Sequence, residues 1–247
     1  MDKELIFEVK KKKEFSGLPD SIIEKALGKN KLDIKKTRSF LRKYFGVFLT
    51  NKVMKGRDEE SLKSHISSKK RDYGVLYKKL KDSTGHASSI VDLGCGANGF
   101  SYGSLKKEFG NIQYIGIEAS GQLCDNSNYF FKVNGFEKAK VLHMDLFDVN
   151  WVINVISGPV SPKIIFMLQV VDALENVEPN FSKKLLLSIK SCLNPGDFVL
   201  MSNPLRSISG REKFSIQRRW LDEFLIENFQ IIDSFDLFDE KYTIIKN

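Results

Sequence analysis

The chain has 247 residues, of which 42% are hydrophobic, so it can bury a large core and is not expected to be globally disordered. Its longest apolar runs, such as KIIFMLQVV (163–171), are much shorter than a membrane-spanning helix, and we expect no membrane insertion. A net charge of +8 favours an anionic partner, and the isolated cysteines Cys95, Cys124 and Cys192 indicate a cytoplasmic protein without a disulfide framework or a bound metal.

Residues 1–81 are predicted to form a basic, helical N-terminal domain. Pro19 and Asp20 indicate the start of a helix and Gly28 its end, and the run 33–49 places apolar residues near helical spacing. Solvated helix faces would explain part of the positive charge, but its concentration at one end of the chain favours nucleic acid or acidic lipid as a partner. We predict RNA contacts from nine basic residues: Lys10, Lys11, Lys12, Lys13, Lys35, Lys36, Arg38, Lys69 and Lys70.

Residues 82–247 are predicted to form an α/β domain. Short apolar strands alternate with helical segments from residue 89 onward, and a long amphipathic helix is predicted over 211–229. Repeated strand–helix units predict a mostly parallel, Rossmann-like sheet covered by helices on both faces. The last segment, 230–247, is predicted to be two strands around an acidic turn, which would add an antiparallel strand to the sheet.

A glycine-rich loop follows the first predicted strand. In VDLGCGANGF (91–100), Gly94, Gly96 and Gly99 have the spacing G-x-G-x-x-G, and Asp92 precedes the first glycine. Such a loop lets the backbone approach a ligand at the carboxyl end of a strand. The pattern alone fits a nicotinamide dinucleotide or S-adenosylmethionine.

Carboxylates at the ends of the next two predicted strands favour the second cofactor. Glu118 can accept hydrogen bonds from both ribose hydroxyls, and Asp145 can accept from the adenine amino group while Leu146 packs on the ring. A dinucleotide enzyme has no comparable need for Asp145. Polar strand ends without a ligand are the alternative. The arrangement resembles class I S-adenosylmethionine-dependent methyltransferases.

Segments outside this core carry a closer resemblance. MSNPLRSISGREK (201–213), SHISSKKRDY (64–73), YFGVFL (44–49) and KKKEFSGLPDSII (11–23) resemble, in order along the chain, elements of the aminoglycoside-resistance 16S ribosomal RNA guanine-N7 methyltransferases. The resemblance implies methylation of guanosine N7 in the decoding region of the assembled small ribosomal subunit. Gln169 stands where that family usually has lysine.

The resemblance also implies roles for particular residues. The N-terminal domain would be a lid and an RNA platform, and Arg71 would hold the methionine carboxylate bidentately. Arg206, Ser207 and Arg211 would position the target guanine or contact the RNA backbone. The cofactor contacts, together with the loop residues, would be Phe48, His65, Ile66, Ser67, Arg71, Asp92, Gly94, Gly96, Glu118, Asp145, Leu146, Leu168 and Gln169.

The chemistry predicts no general base, because guanine N7 carries an in-plane lone pair and needs no deprotonation before attack. We expect a monomer. The alternatives left open are methylation of another nucleotide, such as adenine N1, or of a small molecule. The remaining alternatives are a non-catalytic RNA-binding protein and a nicotinamide oxidoreductase.

Overall fold

The structure is a computed structural model that describes residues 3–45, 56–63, 68–205 and 218–247. These ranges contain an N-terminal group of helices, a central sheet and the helices that cover the sheet. Within them no helix combines the length and apolar character that crossing a bilayer requires.

The central sheet confirms the predicted fold class. Its seven strands lie in the order β3-β2-β1-β4-β5-β7-β6. β7 is antiparallel to both β5 and β6, and the other pairings are parallel. The strands are β1 (Ser89–Leu93), β2 (Gln113–Glu118), β3 (Ala139–His143), β4 (Lys163–Leu168), β5 (Phe198–Pro204), β6 (Gln230–Leu237) and β7 (Glu240–Lys246). The order reverses between β1 and β4, which is where sheets of this kind bind ligands.

The two faces of the sheet contribute to two separate cores. β1 and β4 are buried along their whole length, as expected for strands covered on both sides. Successive side chains point to opposite faces, so Ile90 and Phe166 belong to one core and Val91 and Ile165 to the other. The continuous apolar sequences of β1 and β4 therefore contribute side chains to both cores.

The N-terminal helices form a third core, and we call residues 3–45 the helical cover. Its helices are α1 (Lys3–Lys10), α2 (Lys13–Ser16), α3 (Asp20–Lys29) and α4 (Ile34–Tyr44). Their buried residues include Val9, Phe15, Ile23, Leu27 and Leu41. The prediction that Gly28 ends a helix is wrong by one residue. α3 continues to Lys29 and ends at Asn30, whose backbone N–H and side chain both donate to the Ala26 carbonyl.

The helices between residues 73 and 228 cover the sheet. They are α5 (Tyr73–Thr84), α6 (Tyr102–Phe109), α7 (Gly121–Val133), α8 (Val149–Ser157), α9 (Val171–Val177), α10 (Phe181–Lys190) and α11 (Arg219–Asn228). The predicted domain boundary at residue 81 falls inside α5. Leu76, Tyr77 and Leu80 of that helix belong to one of the cores of the sheet. By its packing, α5 is therefore part of the sheet layers.

Candidate functional site

A cavity lies at the carboxyl ends of the central strands, beneath the helical cover. Together with the adjoining open solvent, it contains about 850 Å³ of empty space. The cover contributes apolar and aromatic side chains to one wall: Leu18, Ile22, Tyr44 and Phe45. The sheet and its loops contribute the opposite walls, which include Gly94, Gly96, Asn98, Glu118, Leu146, Phe147, Leu168 and Gln169.

The glycine loop needs two of its glycines for conformational reasons. Gly94 and Gly96 have φ angles of 68° and 53°, which side-chain-bearing residues rarely adopt. A Cβ atom at Gly94 would lie 2.8 Å from Cγ2 of Val170 on the neighbouring wall. The backbone N–H groups of Gly94 and Cys95 both donate to the Ile117 carbonyl, at 2.9 and 3.0 Å, and bind the loop to β2. These backbone hydrogen bonds fix the start of the loop at the edge of the cavity.

Glu118 ends β2 on the wall of the cavity. Its Oε2 accepts from the backbone N–H of Gly96 at 2.9 Å, and its Oε1 accepts from that of Ser120 at 2.8 Å. Burial raises the pKa of this carboxyl above its ordinary value of 4.5, although the backbone donors oppose the shift. A carboxylate has about four acceptor positions, so the group keeps acceptor capacity for a ligand.

Asp145 follows β3 but does not line the cavity, whereas its neighbours Leu146 and Phe147 do. Its Oδ1 accepts from the backbone N–H of Phe147 at 2.7 Å, and its Oδ2 accepts from the hydroxyl of Ser21 in the cover. The carboxylate therefore shapes its own turn and binds the cover. In this arrangement it is not directed at the cavity where adenine recognition was expected.

Asp92 and Arg71 lie behind the cavity wall, in a buried polar network. Asp92 Oδ2 accepts from Asn98 Nδ2 at 3.1 Å and from the hydroxyl of Tyr114 at 2.9 Å, and burial raises the pKa of Asp92 to about 6. Arg71 donates through Nε and Nη2 to the two oxygens of Glu240, both at 2.8 Å. The guanidinium expected to hold a ligand carboxylate thus already holds a carboxylate of the chain.

Two residues of this network, Asn98 and Glu240, were not predicted from the sequence. Asn98 lies in the glycine-rich motif itself, and its amide could have been considered as a cavity group. Glu240 is the first residue of β7, directly after the acidic turn that follows β6. It is separated from Arg71 by 169 positions, and no spacing rule connects the two residues.

Gln169 is the strained residue of the site. It follows β4, lines the cavity with Leu168, and has a φ of 57°. Its backbone N–H donates to the Ser202 carbonyl at 2.9 Å, which holds it against the end of β5. Unfavourable backbone conformations of this kind are typical of binding and catalytic sites.

Several predicted site residues lie outside the described ranges, and the structure says nothing of them: Phe48, His65, Ile66, Ser67, Arg206, Ser207 and Arg211. Within the described ranges, no three His, Cys, Asp or Glu side chains are arranged to hold a metal ion.

The predicted RNA-binding residues are mostly on the surface. Seven of them are exposed: Lys11, Lys12, Lys13, Lys35, Lys36, Lys69 and Lys70. Lys10 and Arg38 are half-buried. Lys10 pairs with Asp20, and Arg38 donates to the Glu8 carbonyl. These two therefore have structural partners within the cover. The lysines of α4 and of residues 69–70 are exposed, and Lys36 and Lys70 also pair at the surface with Asp33 and Asp239.

The sheet order, the antiparallel closing strand and a ligand-sized cavity at the switch point together define a Rossmann-like methyltransferase fold. No protein-family model and no curated protein sequence matches the chain. The fold is similar to that of the 16S rRNA methylase ArmA, with a TM-score of 0.51, 19% identity, and coverage of 76% of this chain and 90% of ArmA.

Two further structures share the fold. The Methanococcus jannaschii fibrillarin pre-rRNA processing protein matches with a TM-score of 0.51 and 16% identity, over 70% of this chain and 73% of that one. A methyltransferase from Geobacter sulfurreducens matches with a TM-score of 0.50 and 14% identity, over 71% of this chain and 78% of that one. At these identities the similarity concerns the fold.

Proposed function

We propose that the cavity binds S-adenosylmethionine and that the protein is a methyltransferase acting on N7 of a guanosine in 16S ribosomal RNA. The observation that carries the cofactor assignment is Glu118, a carboxylate on the cavity wall at the tip of β2. It lines the cavity beside Gly94 and Gly96 and keeps acceptor capacity beyond its backbone donors.

The residues present fit this cofactor. Glu118 would accept from the ribose hydroxyls, and the apolar walls at Ile117, Leu146 and Phe147 offer surfaces for the adenine ring. Gly94 leaves room that a side chain would fill. Bound there, S-adenosylmethionine supplies a methyl group activated by its sulfonium. Leu168 and Gln169, which line the cavity, remain proposed contacts of the same site.

The chain's own contribution would be alignment and exclusion of water. Leu18, Ile22 and Phe45 of the cover give the cavity a dry wall on the side opposite the glycine loop. Gln169 would orient the incoming base, because its fixed backbone holds its position against β5. Proton abstraction is not needed for attack by guanine N7. A preorganised, neutral site is therefore sufficient for this reaction.

RNA as the substrate is supported by charge. The outward lysines of α4, Lys35 and Lys36, lie on the same helical cover that walls the cavity, and Lys69 and Lys70 precede α5. Phosphate contacts from such residues set the register of an RNA surface without reading its sequence. Binding to the assembled small subunit, a monomeric state, a cytoplasmic location and a role in aminoglycoside resistance belong to the same proposal.

The test is methyl transfer from labelled S-adenosylmethionine to purified small subunits, followed by mapping of the modified nucleotide. We expect one labelled guanosine in the decoding region and none in large subunits. Glu118→Ala is expected to abolish transfer, and Glu137→Ala, at an exposed position before β3, is the matched control. Label on adenine N1 would overturn the guanine assignment. Absence of any binding of S-adenosylhomocysteine would overturn the cofactor.

The proposed substrate contacts have their own test. Arg206→Glu or Arg211→Glu is expected to abolish transfer to small subunits while cofactor affinity stays within a few-fold of wild type, because reversed charge repels phosphate but leaves the cavity intact. Calorimetry with S-adenosylhomocysteine and the transfer assay measure the two quantities separately. Normal methylation by either variant would contradict the assignment.

A further inference from the structure

We infer that Arg71 is a positioning residue, which acts on the cavity through Asn98 and is itself held by Glu240. The inference rests on the proposed function, since it concerns how the same cavity holds its ligand. It differs from the expected role of Arg71 as a direct partner of the ligand carboxylate.

The guanidinium of Arg71 is already committed to Glu240. Nε and Nη2 meet the two carboxylate oxygens of Glu240 in the parallel fork that such pairs prefer. The side chains of Arg71 and Glu240 are 1% and 3% exposed. The hydroxyl of Ser202 also donates to Glu240, at 2.6 Å, and fixes that carboxylate to β5. Releasing Arg71 toward a ligand would leave Glu240 buried without its counter-charge.

Arg71 also fixes the orientation of Asn98. Arg71 Nη1 donates to Asn98 Oδ1 at 3.0 Å, and the hydroxyl of Tyr73 donates to the same oxygen at 2.7 Å. Both lone pairs of that oxygen are then used. The amide nitrogen must point the other way, where it donates to Asp92. A flipped amide would set N–H groups against the guanidinium and the hydroxyl.

Asn98 in turn shapes the cavity wall. It lines the cavity, and its backbone N–H donates to the Cys95 carbonyl at 2.8 Å, inside the glycine loop. The hydroxyl of Ser101 donates to the Asn98 carbonyl at 2.6 Å. Arg71 does not line the cavity. Its influence on a ligand therefore passes through the loop that Asn98 closes.

The experiment compares two ligands, S-adenosylhomocysteine and 5′-methylthioadenosine, which lacks the amino-acid group. The double variant Arg71→Met/Glu240→Met replaces the whole buried ion pair by apolar side chains, a change that often preserves folding. We expect both ligands to bind about tenfold more weakly, as for the loss of one charge-assisted hydrogen bond. Asn98→Ala is expected to give the same loss for both ligands.

If the double variant does not fold, the single variant Glu240→Gln tests the same inference. Glu240→Gln leaves Arg71 in place with a weaker partner, and it too should weaken both ligands by a common factor. Lys78→Met, at an exposed position on α5, is the control and should change neither affinity. Weakening of S-adenosylhomocysteine alone would show direct contact of Arg71 with the carboxylate and overturn the inference. If the variants bind both ligands with wild-type affinity, the Arg71–Glu240 pair has only a structural role and the inference is overturned.

Failure of the proposed function is distinguishable from failure of this inference. Wild-type protein that binds neither ligand contradicts the cofactor assignment itself. Wild-type protein that binds both, with variants that bind equally well, contradicts only the positioning role of Arg71.

Discussion

Asp92 offers an experimental test of the fold, because burial changes the pKa of its carboxyl. It is fully buried in the centre of the sheet, and burial raises its pKa from 3.8 to about 6 against the opposing effect of its donors Tyr114 and Asn98. The folded protein thus binds this proton more tightly than the unfolded chain. Its contribution to stability is present below pH 3.8 and is lost as the pH rises through about 6.

The Asp92→Asn variant should reveal this contribution. The free energy of unfolding of the wild type, relative to the variant, is expected to fall between about pH 4 and pH 6 by on the order of 3 kcal/mol. Urea unfolding at a series of pH values measures it. A difference that does not change with pH would contradict the prediction.

A control of opposite sign is available on β6. Hydrogen bonds from Lys79 and Ser83 lower the pKa of Asp233, so its contribution is present at neutral pH and is lost as the pH falls through its lowered pKa. Asp233→Asn should therefore be less stable than the wild type at neutral pH, and the gap should close on acidification.

Gly94 gives a second prediction at this scale. Gly94→Ala is expected to destabilise the fold by about 1–3 kcal/mol and to weaken ligand binding. The causes are the positive φ and the 2.8 Å approach of the new Cβ to Val170. Gly28→Ala, inside α3 and in open space, is the matched control and should stabilise the protein. Thermal unfolding and calorimetry measure both effects; an unchanged Gly94→Ala variant would refute this explanation.

The residues of the site show how much of it can be predicted from the sequence. Gly94, Gly96, Glu118, Leu146, Leu168 and Gln169 were predicted at the site, and all six line the cavity. Gly94 and Gly96 were predicted from the glycine motif, Glu118 and Leu146 from the strand ends, and Leu168 and Gln169 from the family resemblance. Arg71 and Asp145 lie off the cavity wall because Glu240 and Ser21, distant in sequence, take up their hydrogen bonds. Pairings of that kind depend on the tertiary structure and leave no local signal.

At the scale of elements, polar contacts join the helical cover to the sheet and its loops, beside apolar packing against Leu123 and Phe147. The Gly17 carbonyl accepts from the backbone N–H of Gly121 at 3.1 Å and from His143 Nε2 at 2.8 Å. Ser21 donates to Asp145, and Lys25 pairs with Glu178 at 2.7 Å. These contacts reach β3, α7 and the end of α9, so the cover spans the whole mouth of the cavity.

Ser21 offers a test of this attachment. Ser21→Ala removes the donor to Asp145, and we expect S-adenosylhomocysteine to dissociate several-fold faster because the cover is held less firmly, by about 1 kcal/mol. Stopped-flow fluorescence measures the rate. Ser39→Ala, at an exposed position on α4, is the control. Equal dissociation rates in the wild type and Ser21→Ala would exclude a role for this hydrogen bond in retention.

Two elements were not predicted. α8 has the sequence VNWVINVIS, in which no charged residue marks a polar face, although Asp148 caps it by accepting from the Trp151 N–H. α9 begins two residues after Gln169, and its apolar start makes the sequence resemble a longer fourth strand, which in fact ends at Leu168. The four other parallel strands and the closing hairpin carry clear apolar runs between breakers, and their prediction is confirmed.

At the scale of the whole molecule, pairs of exposed lysines lie toward both edges of the sheet. Lys35 and Lys36 lie on the cover at the carboxyl edge, whereas Lys106 and Lys107 lie in the last turn of α6, which runs back toward the amino edge. The two pairs are equally cationic but differ in distance from the cavity. They provide a matched comparison for the proposed RNA surface.

We expect Lys35→Ala/Lys36→Ala to raise KM for small subunits, leave kcat nearly unchanged and make binding less dependent on salt. The slope of the logarithm of the binding constant against the logarithm of the salt concentration should decrease in magnitude by about 0.7–0.9 for each phosphate that the variant no longer neutralises. Lys106→Ala/Lys107→Ala should behave as the wild type. Transfer assays at several salt concentrations measure both pairs. Equal effects of the two pairs would mean that only net charge matters.

The cover combines two tasks that many enzymes give to separate parts. Leu18 and Ile22 line the cavity, and the exposed Lys35 and Lys36, on another helix of the same cover, would meet the proposed substrate. A ribosome resting on those lysines would keep the spent nucleoside enclosed for as long as it stayed bound. Under the proposed function each enzyme molecule would then complete a single rapid round, and the next would wait for the departure of the modified particle.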